Sequence, residues 1–424
     1  MVYDVAVIGA GPAGLMAAKT AAEKGLKTVL LEKRLDVSRI TRACCEQLIM
    51  DKDFQGDTVR LESGKIVSLN NGFAVEYGGP TVDVTDKYFI SPAGRTIHFA
   101  YPDKSPIVIK IDKGLMLQNL WDACAAAGAD MRSGAHVNGV RDNGDMVDLL
   151  VTCEKKSGTI CARKLVIADG VNSRTAERMG MNSKRQCFAS ALCVIYFLKG
   201  VKGFKRSALN TYFGRAFCGL APITITTALQ GSDVACLVVI GNKSNPPEKL
   251  FHNITTKGAL APALGSVSVV GKTGCAARAY TSLREPFRGN VLVIGDAAAY
   301  VEVEMQGALA CGFRAARAVA DELGGSDGFG QYTAWWQAAF EFNGDEYLQV
   351  AQGFALVPTY TDEELDYLFG LIEGEVLEGT YNQYKSPRLM WGAILKHEGR
   401  IRSERPELHA KINSRAKATL SDML

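Results

Sequence analysis

This sequence predicts an α/β protein in which a parallel-sheet domain is interrupted by an inserted antiparallel β-sheet domain and followed by a helical C-terminal part. Three observations carry that expectation. A short apolar strand, Met1 to Ile8, runs into Gly9-Ala-Gly11-Pro-Ala-Gly14, a helix pattern and a second apolar strand, Lys27 to Leu31. The chain from Cys187 to Ala279 is almost entirely β-patterned. From Phe329 onward the apolar spacing turns helical.

The opening stretch is a complete βαβ unit, with Glu32 eighteen positions after the third glycine. Gly9 permits the tight turn, Gly11 lets the backbone approach a pyrophosphate, and Gly14 lets helix and strand pack closely. Pro12 and Ala13 lie within the turn as further cofactor contacts, and a helix pattern follows from Leu15 to Lys24, whose N-terminal N–H groups and dipole favour phosphate. Glu32 is placed to accept from a ribose 2′-OH, with Lys33 beside it. The pattern predicts a Rossmann-type dinucleotide site.

Two later stretches narrow the dinucleotide. Arg288-Gly-Asn-Val-Leu-Val-Ile-Gly295-Asp296 is an apolar strand ending in Gly-Asp, followed by a small-residue helix, Gly307 to Leu323. Lys164-Leu-Val-Ile-Ala-Asp169-Gly170 is a strand ending in Asp-Gly. Both resemble fingerprints of flavoproteins with the p-hydroxybenzoate hydroxylase-type fold. The resemblance implies FAD, with Asp296 on the ribityl chain and Asp169 in a further cofactor element. It also implies that the helix bearing Gly307 and Ala308 points at the N1/O2 edge of the flavin.

The chain has 424 residues with 48 basic and 45 acidic side chains, so no electrostatic footprint for nucleic acid exists. No run of eighteen apolar residues is present, which leaves at most a peripheral membrane contact. The first residues lack a basic region and lead straight into a strand, so they are expected to be structural. Eleven cysteines include no C-x-x-C pair, which argues against a zinc site or a disulfide framework. A reducing cytoplasm is the expected compartment.

The expected organisation is interleaved. Residues 1–70, 101–180 and 285–328 form the FAD-binding domain, and 71–100 and 181–284 the β-sheet substrate domain. Residues 329–424 form the helical C-terminal region. A hairpin turns at Pro92-Ala93-Gly94, a helix spans Leu115 to Ala127, and Thr361 with Glu364 reads as a capping box. Phe188, Tyr196, Phe197, Tyr212, Phe213 and Phe217 are candidate walls of an apolar cavity between the inserted sheet and the flavin.

Thr41-Arg42-Ala43-Cys44-Cys45-Glu46-Gln47 resembles the Arg-x-Cys-x-Glu type segment of the geranylgeranyl reductase family. With the FAD elements and a similar length, most of the chain resembles that family. The resemblance implies an ene-reductase that saturates a C=C bond of a hydrophobic, isoprenoid- or acyl-like substrate through reduced flavin. Cys44 matches the active-site cysteine, and Arg42, Ala43 and Glu46 its flavin-side neighbours; Cys45 is a second candidate. A thiol there could donate a proton or tune the flavin as thiolate. Phe217-Cys-Gly-Leu-Ala-Pro222 lacks the tyrosine and tryptophan of the family's Tyr-x-Trp-x-Phe-Pro segment. Val303 and Gln306-Gly307-Ala308 replace its usual proline and triple glycine.

Alternative readings are a hydroxylase-type monooxygenase and a dehydrogenase exchanging electrons with a quinone. Only one nucleotide-type βαβ unit is present, so NAD(P)H or reduced ferredoxin would act as a transient electron donor. Glu302 and Glu304, alternating with Val301 and Val303, read first as a strand edge with its acids in solvent, and second as carboxylates of a proton relay. Lys113 stands either near the FAD phosphates or at the surface. The basic run from Lys396 to Lys417 reads as a solvated helix face.

Overall fold

Strand β1 (Val2–Ile8) becomes continuously buried over its last four residues, as a strand covered on both faces must be. It feeds helix α1 (Pro12–Glu23), which returns through strand β2 (Thr28–Leu31). The computed structural model of the protein describes residues 1–300, 302–344 and 356–415. Parallel pairing orders the strands Asp130–Arg132, β2, β1, Lys156–Ile167 and Val291–Val293. Ile8 lies opposite both Leu31 and Ile167, and Ile167 opposite Val293. That register brings Gly9, Glu32, Asp169 and Asp296 to one carboxyl edge, where open parallel sheets bind their ligands.

Helix Glu304–Leu323 lies on α1. A side chain at Gly312 would come within 2.2 Å of the Ala13 carbonyl oxygen, so this glycine allows the two helices to meet. The helix begins three residues before Gly307, the expected start.

The second large sheet runs Ser268–Tyr280, Cys187–Lys199, Val234–Gly241, Ile223–Thr227, Ala208–Tyr212, Asp86–Ile90, Thr96–Ala100 and Val376–Glu378. The hairpin Asp86–Ile90/Thr96–Ala100 turns through Gly94 at φ +82°. Ala74–Glu76 instead joins a small separate sheet with Lys65–Ser68 and Val59–Glu62.

Two helices, Pro247–Thr256 and Ala261–Leu264, interrupt the segment expected to be nearly all β. They cover one sheet face, burying Tyr196, Tyr212 and Phe217 with Leu237, Ile254 and Leu264. Tyr196 stacks on Phe251 at 4.1 Å, and Phe213 packs in the C-terminal core against Phe89. These four aromatics are core residues and not cavity walls. Phe197 projects from the opposite face, as strand alternation requires.

The C-terminal helices include Asp362–Leu371, capped by the reciprocal Thr361–Glu364 pair. Strand Val376–Glu378 adds to the sheet edge, an element the helical expectation lacked. In the basic run, Lys411 pairs with Glu364 at 2.7 Å and Arg400 with Glu404 at 2.9 Å. Val301, Lys417 and the side chain of Phe188 lie outside what is described.

Candidate active site

The glycine turn is shaped by two close approaches and one open position. Gly9 has φ +100°, and a side chain there would come within 2.5 Å of Ala168 O. A Cβ at Gly14 would lie 1.8 Å from Gly9 O. At Gly11 it would meet nothing within 4 Å, and no side chain caps α1, whose first residues are Pro12 and Ala13. The first turn of α1 thus has no side-chain cap and open space beside Gly11, an arrangement suited to phosphate.

Glu32 is anchored beside this turn. Its Oε2 accepts from Ala10 N–H at 2.7 Å, and Oε1 accepts from Arg34 N–H at 2.8 Å and Nε at 3.0 Å. Burial alone would raise its carboxyl; Arg34 and the two backbone donors outweigh it and hold the group below its ordinary range. Lys33 is exposed, and Arg34 takes the ion pair with Glu32. Asp169 Oδ2 accepts from Thr175 Oγ1 at 2.9 Å, while Oδ1 is buried with no partner in the protein. The orphaned oxygen and the open Gly11 position fit a polar dinucleotide laid across this edge.

Asp296 Oδ1 accepts from Val303 N–H at 3.0 Å and closes the loop into helix Glu304–Leu323. Burial pushes its carboxyl up, opposed by that N–H and by the charges of Arg42 and Lys113. Arg185 ties the same loop to the end of strand Ser268–Tyr280, donating to the carbonyls of Ala297 at 3.0 Å and Thr281 at 2.6 Å. Gly307 lies inside the helix, where a side chain would come within 3.0 Å of Gln55, and Ala308 is buried beside it.

The segment 42–46 crosses from this edge to the second sheet. Arg42 lies over the Asp169-Gly170 turn, where a Cβ at Gly170 would be 2.8 Å from its guanidinium. Ala43 and Cys45 pack toward Ile195, Ala228, Val234 and Cys236. Cys44 makes a different set of contacts. Its Sγ accepts from Lys113 Nζ and from Glu46 N–H, each at 3.4 Å. Burial pushes the Cys45 thiol well above its ordinary range.

Glu46 holds a left-handed backbone, φ +51°, and its Oε2 accepts from Gln230 Nε2 at 3.1 Å. Burial raises its carboxyl. Lys110, fully buried, donates to Cys45 O at 3.0 Å and Gln47 Oε1 at 2.9 Å, pinning the segment from beneath. Lys113 opens helix α2 (Lys113–Ala126). Burial works against its charge, yet Cys44 and Asp296 hold its ammonium above the ordinary value.

Glu302 and Glu304 do not form a strand edge. Val303 between them is fully buried, and Glu304 starts the helix at φ +57°. Glu302 is exposed, as the expectation of a solvated acid had it, and Glu304 is half-buried. Burial pushes both carboxyls up. Asp296 adds to the effect on Glu302, and Glu302 to that on Glu304, while Lys113 opposes both.

Residues 2–307 match the family described as FAD binding domain. The chain belongs to that family. A digeranylgeranylglycerophospholipid reductase from Methanocaldococcus jannaschii is 24% identical over 386 residues, covering 89% of this chain and 92% of its own. Its counterpart from Methanococcus vannielii is 25% identical, covering 80% and 84%. A geranylgeranyl bacteriochlorophyll reductase-like protein from Thermoplasma acidophilum superposes with a TM-score of 0.73 at 19% identity, covering 98% of this chain and 99% of the other. The protein is an FAD-dependent oxidoreductase, similar over most of its length to the digeranylgeranylglycerophospholipid reductases.

The side chains that support the site carry little local signal in the sequence. Arg34 was legible as a cation two residues after Glu32. Arg185, Lys110 and Gln230 lie far in sequence from what they hold, and no local pattern marks them. Among the described residues no helix is long and apolar enough to cross a membrane, and no metal-holding cluster occurs.

Proposed function

We propose that this protein reduces a C=C bond of a hydrophobic, isoprenoid- or acyl-like substrate. The divergence of Cys44 and Cys45 carries the reading. One thiol contacts Lys113, whose charge is also supported by Asp296, and its neighbour packs on an apolar sheet face. A substrate lying along Phe197, Val238 and Cys45 would reach the polar contacts of Cys44. The names of the digeranylgeranylglycerophospholipid reductases support an isoprenoid lipid as substrate class.

The residues to hold FAD are the Gly9–Gly14 turn for the pyrophosphate, Glu32 for the ribose, Asp296 for the ribityl chain, and Asp169 with Arg42 between them. Reduced FAD supplies a hydride to one alkene carbon. The protein must then place a proton on the other. Cys44 is the donor in this reading, and Lys113, in contact with its sulfur, steadies the charge left behind. Exclusion of water falls to the apolar sheet face. NAD(P)H or reduced ferredoxin would deliver electrons transiently, at a cytoplasmic protein touching membrane at most peripherally.

Anaerobic photoreduction followed by mixing with a polyprenyl lipid tests the reading. Reoxidation of the flavin with a saturated product is expected. Reoxidation only by O2 with hydroxylation of an aromatic acid would overturn it.

A further inference from the structure

The outermost strand of the second large sheet, Ser268–Tyr280, carries Val269 and Val270 side by side in solvent, 48% and 51% exposed. A bulge explains why consecutive residues both face out. Phe197 pairs with Gly271 and Leu198 with Val269, which leaves Val270 without a partner. Edge strands ordinarily carry polar side chains at such positions, so two bare valines there are an uncovered apolar surface.

Cations adjoin them. The chain leaving strand Cys187–Lys199 reads Lys199-Gly-Val-Lys202-Gly-Phe204-Lys205-Arg206. It departs beside the start of the edge strand: Lys199 lies opposite Ser268, and Lys202 N–H donates to Ala263 O at 3.2 Å. Lys202, Lys205 and Arg206 are exposed, as is Lys272 on the edge strand. Lys199 pairs with Asp233 at 3.2 Å, but among the described residues none of those four has a carboxylate partner. The sequence holds no acidic residue from Leu198 to Leu209 or from Lys249 to Arg284. Core contacts hold the loop in place. Val201 is buried, Phe204 is half-buried over the same core, Arg206 donates to Ser232 O, and Lys205 Nζ rests 3.6 Å from the Tyr88 ring centre. The patch also adjoins the apolar face described above. A Cβ at Gly271, next to Val270, would lie 3.5 Å from the Phe197 ring, and Phe197 and Cys45 pack on one buried cluster.

We propose that this end of the second large sheet is a membrane-docking surface, with Lys202, Lys205, Arg206 and Lys272 on the anionic headgroups of a bilayer and Val269 and Val270 at its acyl boundary. The proposal rests on the lipid-substrate reading for its purpose, because a polyprenyl chain leaving the bilayer here would enter beside Phe197. Clustered lysines and arginines are drawn to anionic headgroups, and apolar side chains among them add burial at the boundary. Unpaired cations and bare valines within one short stretch of surface match both layers of such a boundary.

Vesicle flotation of the FAD holoenzyme tests it. Wild type should bind vesicles of phosphatidylcholine mixed with phosphatidylglycerol, bind phosphatidylcholine alone far less, and dissociate at high salt. K202Q/K205Q/R206Q removes three charges, each worth about five-fold near an anionic surface, so binding should fall by roughly a hundred-fold. V269S/V270S should lower binding by roughly ten-fold and leave its salt dependence in place. K396Q/R402Q, in the basic C-terminal run, should bind as wild type does. Flavin content and thermal unfolding check each fold, and V269S/V270S carries the comparison if the loop variant loses flavin. Wild type that ignores anionic vesicles overturns the proposal and leaves the cations to an acidic protein partner. Wild-type binding by the loop variant, or a loss confined to K396Q/R402Q, also overturns it. The readout needs no turnover. Vesicle binding without reduction of any polyprenyl lipid keeps the surface and sinks the ene-reductase reading, whereas wild-type reduction of vesicle-embedded lipid by the loop variant sinks the surface alone.

Discussion

Lys113 Nζ donates to Cys44 Sγ across 3.4 Å, joining the first turn of α2 to the segment that follows β2. Glu46 N–H reaches the same sulfur, so two donors fix its position. Cys45 has neither and packs among apolar residues. Cys44→Ser should therefore leave FAD bound and lower alkene reduction by roughly ten-fold to ten-thousand-fold, the range of a positioned acid or base. Cys45→Ser should change it far less. Wild-type turnover in Cys44→Ser would make that residue packing only.

The glycine turn separates cofactor binding from folding. Gly11→Val introduces a side chain that meets no protein atom at an extended backbone position (φ −81°, ψ 178°). It should cost about 1 kcal/mol or less in stability and abolish FAD retention, giving a colourless, folded protein. Gly14→Ala collides with Gly9 O and should lower stability by about 1–3 kcal/mol or more. Flavin absorbance and thermal unfolding of the two variants check this. A Gly11→Val protein that stays yellow would overturn the placement of the pyrophosphate.

The parallel sheet and its carboxyl edge were legible because strand, glycine turn and acid follow one another within a few residues. Local order of that kind survives folding. The sheet's outer cover was not legible. Helix Pro247–Thr256 opens with Pro246-Pro247, which reads as a loop until the proline is seen at the first helical position. Without that cover Tyr196 and Tyr212 looked free to line a cavity. Glu302 and Glu304 read as the acids of a strand edge because alternation with valine mimics one; Glu302 is indeed exposed, but Glu304 is half-buried and opens a helix. Their environment comes from Lys113, Arg42 and Tyr381, brought from distant parts of the chain.

Lys87 predicts a pH dependence of stability. It is buried, donating to Ser386 Oγ at 2.6 Å and Thr380 O at 3.3 Å, with Phe89, Phe99 and Tyr381 around the ammonium. Burial pulls it down to about 7, against the opposing charge of Asp51. The unfolded lysine keeps its proton to about 10.4. Between about pH 7 and about pH 10.4 the unfolded state binds more protons, so this group's contribution to stability rises with pH across that window. Below about 7 both states are charged, and the cost of the buried charge is at its maximum. Wild type should gain stability relative to Lys87→Met over that range, by at most a few kcal/mol in order of magnitude. Parallel denaturant titrations at several pH values give the difference; a constant gap would show that Lys87 stays charged.

Phe197 provides the test of the apolar wall. It projects from strand Cys187–Lys199 on the face that packs toward Ala43 and Cys45, opposite the face sealed by helices Pro247–Thr256 and Ala261–Leu264. It is only partly buried, whereas Tyr196 beside it is core. If the substrate chain lies along this face, Phe197→Ala removes apolar contact with bound substrate and little from the fold. Full burial of such a side chain is worth about 1.5–3 kcal/mol, which corresponds to roughly a ten- to hundred-fold loss in kcat/KM for a long polyprenyl substrate. A short alkene that reaches only Cys44 should lose much less. Equal losses for long and short substrates would mean that Phe197 supports the 42–46 segment, and that the chain binds elsewhere.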